Sequence, residues 1–177
     1  MKKIIGTVLA AAMAFSMVGC AGGAKSDLPD NVICIGGIGP TTGPNAQYGT
    51  AVKNGAEIAV EEINAMGGEL QFAFKFQDDE ADNEKAVNAY NSLKDWAGDK
   101  PFLVVGATTS GCTIAVGAET YADGIFQITP SGTDQECVKY DNAFRTCFSD
   151  PSQGAISAQY IKENQLATKV GIIYDSS

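Results

Sequence analysis

The 177-residue sequence contains no histidine. This absence excludes Ser-His-Asp and Cys-His nucleophilic machinery, zinc sites built on imidazole, and imidazole proton transfer. Basic residues are also scarce, with 12 Lys and Arg against 21 Asp and Glu. A duplex-binding surface needs Lys and Arg to replace condensed counterions, so this balance argues against a nucleic-acid partner. We therefore expect neither an enzyme nor a nucleic-acid-binding protein.

Sequence motifs for phosphate binding and for activated nucleophiles are missing as well. In the glycine-rich stretch 36–49, Thr42 stands where a G-x-G-x-x-G motif needs its third glycine, and Pro40 removes an amide donor. No G-x-S-x-G or S-x-x-K motif occurs. The acidic group at 78–82 has two interpretations, a hard-cation site or the capped start of a helix, and we favour the second. No cofactor and no metal are expected.

The first twenty residues have the pattern of an export signal. Lys2 and Lys3 precede a mostly apolar run at 4–18, which is shorter than a bilayer span and favours a cleaved signal over an uncleaved anchor. The run ends in Met-Val-Gly-Cys, which resembles a bacterial lipobox and predicts that Cys20 becomes a lipidated N-terminus at the outer face of the cell membrane. Residues 21–30 form a predicted flexible tether.

Removal of the signal makes the chain more acidic. It takes away two lysines and no acid, so 10 basic and 21 acidic residues remain and the net charge becomes −11. Such a chain is not attracted to anionic lipid. The acyl chains of Cys20 must therefore hold the predicted 31–177 domain at the membrane.

From residue 31 onward, strand-like and helix-like patterns alternate. Apolar runs and period-two alternation predict strands at 32–35, 72–76, 102–105, 125–128, 143–146 and 170–174. The alternation predicts an α/β fold, a three-layer sandwich around a mainly parallel sheet. The sequence stops directly after the last predicted strand. Either this strand is the last one of the protein, or the chain is a fragment of a longer protein. The abrupt end favours a fragment.

The helical patterns between these strands make specific predictions. Apolar residues spaced by three or four predict the buried face of the first helix: Val52, Ala56, Ala59, Ile63 and Met66. Asp82 is the expected N-cap of the second helix. Asp150, followed by Pro151, is the expected N-cap of the fourth helix.

Loops rich in small and hydroxylated residues follow several of the predicted strands. In open α/β sheets, ligands bind beyond the carboxyl ends of the strands, where loops meet helix N-termini. Ser110 lies at such a helix start, and Ser131 and Thr133 follow another strand. Tyr48 offers an apolar wall with a polar tip. The hydroxyl groups serve either to cap turns or to bind a small carboxylate, and convergence of three loops favours binding.

Cysteine usage leaves the redox state open. With Cys20 acylated, four cysteines remain, and Cys34 lies in an apolar run typical of a buried free thiol. Cys137 and Cys147 flank one short loop. They form either a disulfide or two free thiols, because sequence does not define the geometry.

An ordered set of motifs in this sequence resembles a known family. The set is Gly39-Pro40-x-Thr42-Gly43, Gln47-Tyr48-Gly49, Glu61-Glu62-Ile63-Asn64-Ala65-x-Gly67-Gly68, Gln77-Asp78-Asp79, Val105-Gly106, Thr129-Pro130-Ser131 and Ser149-Asp150-Pro151-Ser152-Gln153-Gly154. It resembles the branched-chain amino-acid (Leu/Ile/Val) substrate-binding proteins of ABC importers, which have the type I periplasmic binding fold.

The resemblance implies a function and a site. Residues 31–177 correspond to the first of two lobes, and the second lobe is missing. The implied ligand is an amino acid, walled by Tyr48 and held at its carboxylate and ammonium by Ser110 and by Ser131, Gly132 and Thr133. The implied partners are ABC permease and ATPase subunits. Two alternatives stay open: a ligand-sensing receptor ectodomain of the same fold, and binding of another small amide or polar solute.

Overall fold

A computed structural model describes residues 25–173, so the signal segment and Cys20 lie outside the described residues. The strands are β1 (Val32–Gly39), β2 (Gln71–Asp78), β3 (Phe102–Val105), β4 (Gln127–Thr129) and β5 (Ala143–Arg145). The helices are α1 (Ala46–Ala65), α2 (Asn83–Ala97), α3 (Ser110–Asp123) and α4 (Asp150–Glu163), and a 3-10 turn spans Gln135–Val138. No described helix combines the length and apolar composition needed to cross a membrane.

The five strands form one parallel sheet in the order β2-β1-β3-β4-β5. Helix α1 packs against β1 and β2, whereas α2 packs against those strands and against α3. This arrangement confirms the predicted α/β fold with a parallel sheet. Because every strand runs the same way, the carboxyl ends of all five meet at one edge, where the loops predicted to bind a ligand are brought together.

The main core lies between the sheet and helices α2 and α3. Ile38 of β1 and Val104 of β3 are fully buried against Tyr90 and Leu93 of α2 and Val116 of α3. Burial of one such side chain stabilises the fold by about 1.5–3 kcal/mol. The core therefore fixes α3, and with it the helix start that faces the carboxyl edge.

Helix α1 forms as predicted, but of its predicted inward face only Val52 and Ala56 are partly buried, and Ala59 is exposed. Ile63 and Met66, predicted to be buried, are 46% and 80% exposed. The inward stripe instead includes Val60 and Asn64, which are partly buried. Asn64 decides this rotation, because its side chain accepts from the amide of Phe72 and donates to the carbonyl of Phe72, both at 2.8 Å. A polar side chain thus joins α1 to β2.

One of the two predicted caps needs correction. The Asp82 side chain accepts from the Lys85 amide at 2.9 Å, as predicted for the N-cap of α2. In α4 the N-cap is Ser149, not Asp150, because Ser149 has an extended backbone and its hydroxyl accepts from the Ser152 amide. Asp150 is already the first helical residue, where a carboxylate favours the positive end of the helix dipole.

The predicted last strand is wrong over the described residues. Residues 170–173 form no strand, and Val170, Ile172 and Ile173 are 59%, 83% and 102% exposed. An apolar run becomes a strand only where a neighbouring strand pairs with its backbone. None of the five described strands pairs with this segment.

Candidate functional site

A cavity of about 350 Å³ opens at the carboxyl edge of the sheet. Four connections contribute to it: the β1–α1, β3–α3 and β4–β5 loops and the segment from β5 into α4. Its lining residues are Asn45, Tyr48, Thr108, Thr109, Ser131, Thr133, Phe148, Asp150 and Gln153. The cavity therefore combines hydroxyl and amide groups, two aromatic rings and one carboxylate.

Two helix N-termini at this cavity have no side-chain cap. The N-cap residues of α1 and α3 are Asn45 and Thr109, and neither makes a side-chain capping hydrogen bond. In contrast, Asp82 caps α2 and Ser149 caps α4. The first amides of a helix carry partial positive charge and need acceptors. The two helices without side-chain caps are thus the ones whose N-cap residues line the cavity, where a bound carboxylate can accept from them.

The structure brings three of the five predicted ligand residues to this cavity: Tyr48, Ser131 and Thr133. Ser110 is the first residue of α3, but its hydroxyl accepts from the Asp134 amide at 3.4 Å and does not line the cavity. Gly132 is buried and does not line the cavity, and its amide donates to the Thr129 hydroxyl at 2.9 Å. Ser110 and Gly132 therefore support the loop that carries Ser131 and Thr133, and their direct contact with ligand stays a prediction.

Arg145 and Cys147 hold this loop from the side of β5. The Arg145 guanidinium donates to the carbonyl of Thr133 at 2.8 Å and to that of Asp134 at 3.1 Å. Cys147 Sγ lies 3.4 Å from the carbonyl oxygen of Gly132. The loop is therefore anchored through its backbone, which leaves the Ser131 and Thr133 side chains free to face the cavity.

A buried polar network positions the β3–α3 loop. The Gln127 side chain, 1% exposed, donates to the carbonyls of Gly106 and Thr113 at 2.9 and 3.2 Å and accepts from the Thr120 hydroxyl at 2.8 Å. Gly106 has a φ of 138°, and a Cβ there would lie 2.5 Å from the Ile38 carbonyl oxygen. Only glycine permits this approach of β3 to β1.

The loop after β1 is held by a carboxylate of β2. Asp78 accepts from the Thr41 amide at 2.8 Å, the Thr42 hydroxyl at 2.6 Å and the Glu80 amide at 3.0 Å. Burial alone would raise the pKa of Asp78, but these hydrogen bonds, led by the one from Thr42, lower it to about 2. Within the acidic group, Asp82 therefore caps α2, as favoured from the sequence, whereas Asp78 holds the loop after β1 and Asp79 is buried.

Six cavity residues were not among the predicted ligand residues: Phe148, Asn45, Thr108, Thr109, Asp150 and Gln153. Phe148 adds an apolar surface. It is 56% exposed and directly precedes the Ser149 cap of α4. An apolar residue at that position usually packs on the fourth helical residue, which here is the polar Gln153. The polar residue at that position is the feature of the sequence that could have predicted the role of Phe148, because without an apolar partner the ring is free to line the cavity.

The cysteines and the possibility of a metal site remain to be compared with the structure. Among the described cysteines, Cys34, Cys112, Cys137 and Cys147 are all free thiols. Within residues 25–173, no three or more Cys, Asp or Glu side chains are grouped to hold a metal ion.

A second cavity of about 740 Å³ lies between α4 and residues 165–172, and its lining is mainly apolar. It lies away from the carboxyl edge and lacks the convergent polar groups of the first.

Comparison with known proteins identifies the family. The family model described as "Periplasmic binding protein" matches residues 32–177. The chain is 36% identical to Leu/Ile/Val-binding protein homolog 3 of Brucella melitensis, over 89% of this chain and 42% of that protein. It is 38% identical to the Leu/Ile/Val-binding protein BraC3 of Rhizobium johnstonii, over 81% and 39%.

A solved structure gives the same result. The branched-chain amino acid transporter substrate-binding protein LivJ from Streptococcus pneumoniae, in complex with isoleucine, matches with a TM-score of 0.69 and 34% identity, over 77% of this chain and 39% of that one. The chain thus spans less than half the length of these relatives. The matched family consists of binding proteins, in agreement with the expectation that the chain is not an enzyme. The chain belongs to the periplasmic binding protein family.

Proposed function

We propose that this chain contributes the first lobe of an extracytoplasmic protein that captures an amino acid, with a branched aliphatic side chain preferred, for an ABC importer. The observation that carries the proposal is the cavity at the carboxyl edge, which is lined by the N-cap residues of two helices without side-chain caps, one carboxylate and two aromatic rings. The relatives named for Leu, Ile and Val binding support the ligand class.

The cavity offers a complementary group for each part of an amino acid. Amides at the starts of α1 and α3 can donate to the α-carboxylate, with help from the Ser131 and Thr133 hydroxyls. The Asp150 carboxylate lines the same cavity, with its backbone amide donating to the Thr133 carbonyl at 3.0 Å, and can accept from the α-ammonium. The rings of Tyr48 and Phe148 can cover an aliphatic side chain. A hydrogen bond to a charged group contributes about 1.5–3 kcal/mol, so several are needed for tight binding.

This lobe alone leaves the cavity open to solvent. Tyr48 and Phe148 are 52% and 56% exposed, so water screens the polar contacts. We expect a dissociation constant near 1 mM for this lobe, or about −4 kcal/mol. A second lobe that closes over the ligand would exclude water and strengthen the same contacts.

The test is an NMR titration of the ¹⁵N-labelled chain with L-leucine, L-leucinamide and 4-methylpentanoate. Leucinamide lacks the carboxylate and 4-methylpentanoate lacks the ammonium. We expect L-leucine to shift the amide signals of 109–113, 131–134 and 148–153, and each analogue to bind at least about tenfold more weakly. Equal shifts with leucine and leucinamide would show that the carboxylate is not recognised at the helix N-termini.

A pair of tyrosine variants tests the apolar wall. Tyr48 and Tyr121 are both 52% exposed, but Tyr121 lies near the far end of α3, stacked on Tyr140. Tyr48→Ala should weaken binding by a factor that grows from alanine to valine to leucine, because the ring contacts the ligand side chain. Tyr121→Ala should leave all three affinities unchanged. A uniform loss in Tyr48→Ala would assign the ring to the common backbone of the ligand instead.

We also propose the division and anchoring of the chain expected from its sequence: residues 1–20 as a lipoprotein signal, 21–30 as a tether and 31–177 as the lobe. In a bacterial host, Cys20→Ser should abolish acylation and move the protein out of the membrane fraction. Cys34→Ser is the matched control, since that thiol is buried in β1. Fatty-acid labelling that persists in Cys20→Ser would rule out this anchor.

A further inference from the structure

Two thiols contact the same glycine in the loop beneath the cavity. Cys147 Sγ is 3.4 Å from the Gly132 carbonyl oxygen. Cys137 Sγ lies 2.9 Å from where a Cβ on Gly132 would stand, and 3.7 Å from the Ser110 carbonyl oxygen. The two cysteines are ten positions apart along the chain, yet the fold brings both thiols against Gly132.

We propose that Cys137 and Cys147 are a redox pair whose disulfide fastens the loop that carries Ser131 and Thr133. The bridge would join the 3-10 turn to the segment between β5 and α4, so both supports of the loop become covalently linked. The pairing does not depend on which ligand the cavity takes. Cys34 and Cys112 are each fully buried on the core side of the sheet and are not partners in this pair.

The two thiols differ in access, which sets the order of the reaction. Cys137 is 2% exposed, and burial raises its pKa, whereas Cys147 is only partly buried. The thiolate is the reactive form, so the more accessible Cys147 reacts first with an incoming oxidant. Cys137 then acts as the resolving thiol.

The oxidant is a low-molecular-weight disulfide, for which glutathione disulfide is the probe. The Cys147 thiolate attacks one sulfur, forms a mixed disulfide and releases one glutathione thiolate, which takes up the proton. Cys137 then attacks the Cys147 sulfur of the mixed disulfide and releases the second glutathione. The protein loses two hydrogen atoms, and the two electrons reduce glutathione disulfide to two thiols.

The experiment begins with the purified, reduced chain in a Cys20→Ser background, which serves as the wild type here because the Cys20 thiol would otherwise react with glutathione. Intact mass is followed after addition of glutathione disulfide. We expect a loss of about 2 Da and no lasting glutathione adduct. Trypsin cuts after Lys139 and Arg145, so the bridged form yields two linked peptides, one starting at Thr146. Because Cys112 and Cys137 share the other peptide, Cys112→Ser should retain the link and Cys137→Ser should lose it.

The variants also separate the order of attack. Cys137→Ser should accumulate a stable glutathione adduct on Cys147, since the resolving thiol is gone. Cys147→Ser should react much more slowly at Cys137. The oxidised wild type should unfold about 5–10 °C higher than the reduced form, because the bridge restricts the unfolded chain. A stable adduct in the wild type, or a link that survives in Cys137→Ser, would overturn the proposal.

Discussion

At the scale of single residues, adjacent carboxylates in the turn after β2 have opposite environments. Asp78 is charged and satisfied by three hydrogen bonds, whereas Asp79 is fully buried and its Oδ2 accepts no hydrogen bond from residues 25–173. Burial therefore raises the pKa of Asp79. Both carboxylates hold the turn. Glu80 and Ala81 have φ values of 51° and 60°, and their amides donate to Asp78 and Asp79 respectively. These contacts offset a left-handed backbone that costs about 1–2 kcal/mol per residue.

We predict opposite pH effects for Asp78→Asn and Asp79→Asn. The lowered pKa of Asp78 gives stability that is present above its unfolded pKa of 3.8 and lost as the pH falls towards about 2. Asp78→Asn should thus cost about 1 kcal/mol at pH 7, after allowance for solvent screening, and less at pH 3. The raised pKa of Asp79 gives stability that is present below 3.8 and lost as the pH rises through its folded pKa.

Urea unfolding between pH 3 and pH 7 measures both effects. Relative to the wild type, Asp79→Asn should gain stability as the pH rises, because asparagine cannot ionise inside the protein. Each variant is compared with the wild type at the same pH, which cancels the titration of the other carboxylates. If the two differences change with pH in the same direction, the assignment of a buried neutral acid to Asp79 is wrong.

At the scale of elements, local patterns predicted the strands better than the polar contacts between them. The alternation of Phe72, Phe74 and Phe76 and the Asp82 cap were sufficient for β2 and α2, because those signals lie within one element. The Asn64 contacts that rotate α1 and the partners of Gln127 involve other elements. Such contacts cannot be predicted from local periodicity. The same limit explains the site: Tyr48, Ser131 and Thr133 were predicted from strand ends, whereas Phe148 and Asp150 were not predicted to line the cavity.

At this scale we predict that the Gln127 hydrogen bonds contribute to the stability of the fold. Gln127→Leu keeps the side-chain size but leaves the Gly106 carbonyl without its donor in a buried site. We expect a loss of about 2–3 kcal/mol in the free energy of unfolding. Gln159→Leu is the control, since Gln159 is exposed on α4 and bonds only Glu163 among its described contacts. Its effect should stay within about 0.5 kcal/mol. Equal urea midpoints for the two variants would contradict a structural role for the network.

At the scale of the whole molecule, stability is distributed unevenly. Helices α3 and α4 both have 14 residues, yet α3 buries five of them and α4 buries none. The exposed apolar side chains of α4 and the following segment include Ile156, Tyr160, Leu166 and Ile172. The capping signal at Asp150 and Pro151 was therefore sufficient to predict a helix, but not what it packs against. A helix of this length without a packed face is marginal in water.

Hydrogen exchange should show this difference between the two helices. Amides of α3 should exchange only through global unfolding, whereas those of residues 154–163 should exchange through local opening at far lower free energy. The first turn of α4 is different, because Asp150 and Gln153 line the cavity. L-leucine at several millimolar should therefore slow exchange in the first turn of α4 and in the 130–134 loop, and leave residues 158–163 unchanged. If, without ligand, all of α4 were as strongly protected from exchange as α3, then contacts within this lobe would already stabilise α4. Ligand-induced slowing confined to residues 158–168 would instead place the amino acid in the larger apolar cavity.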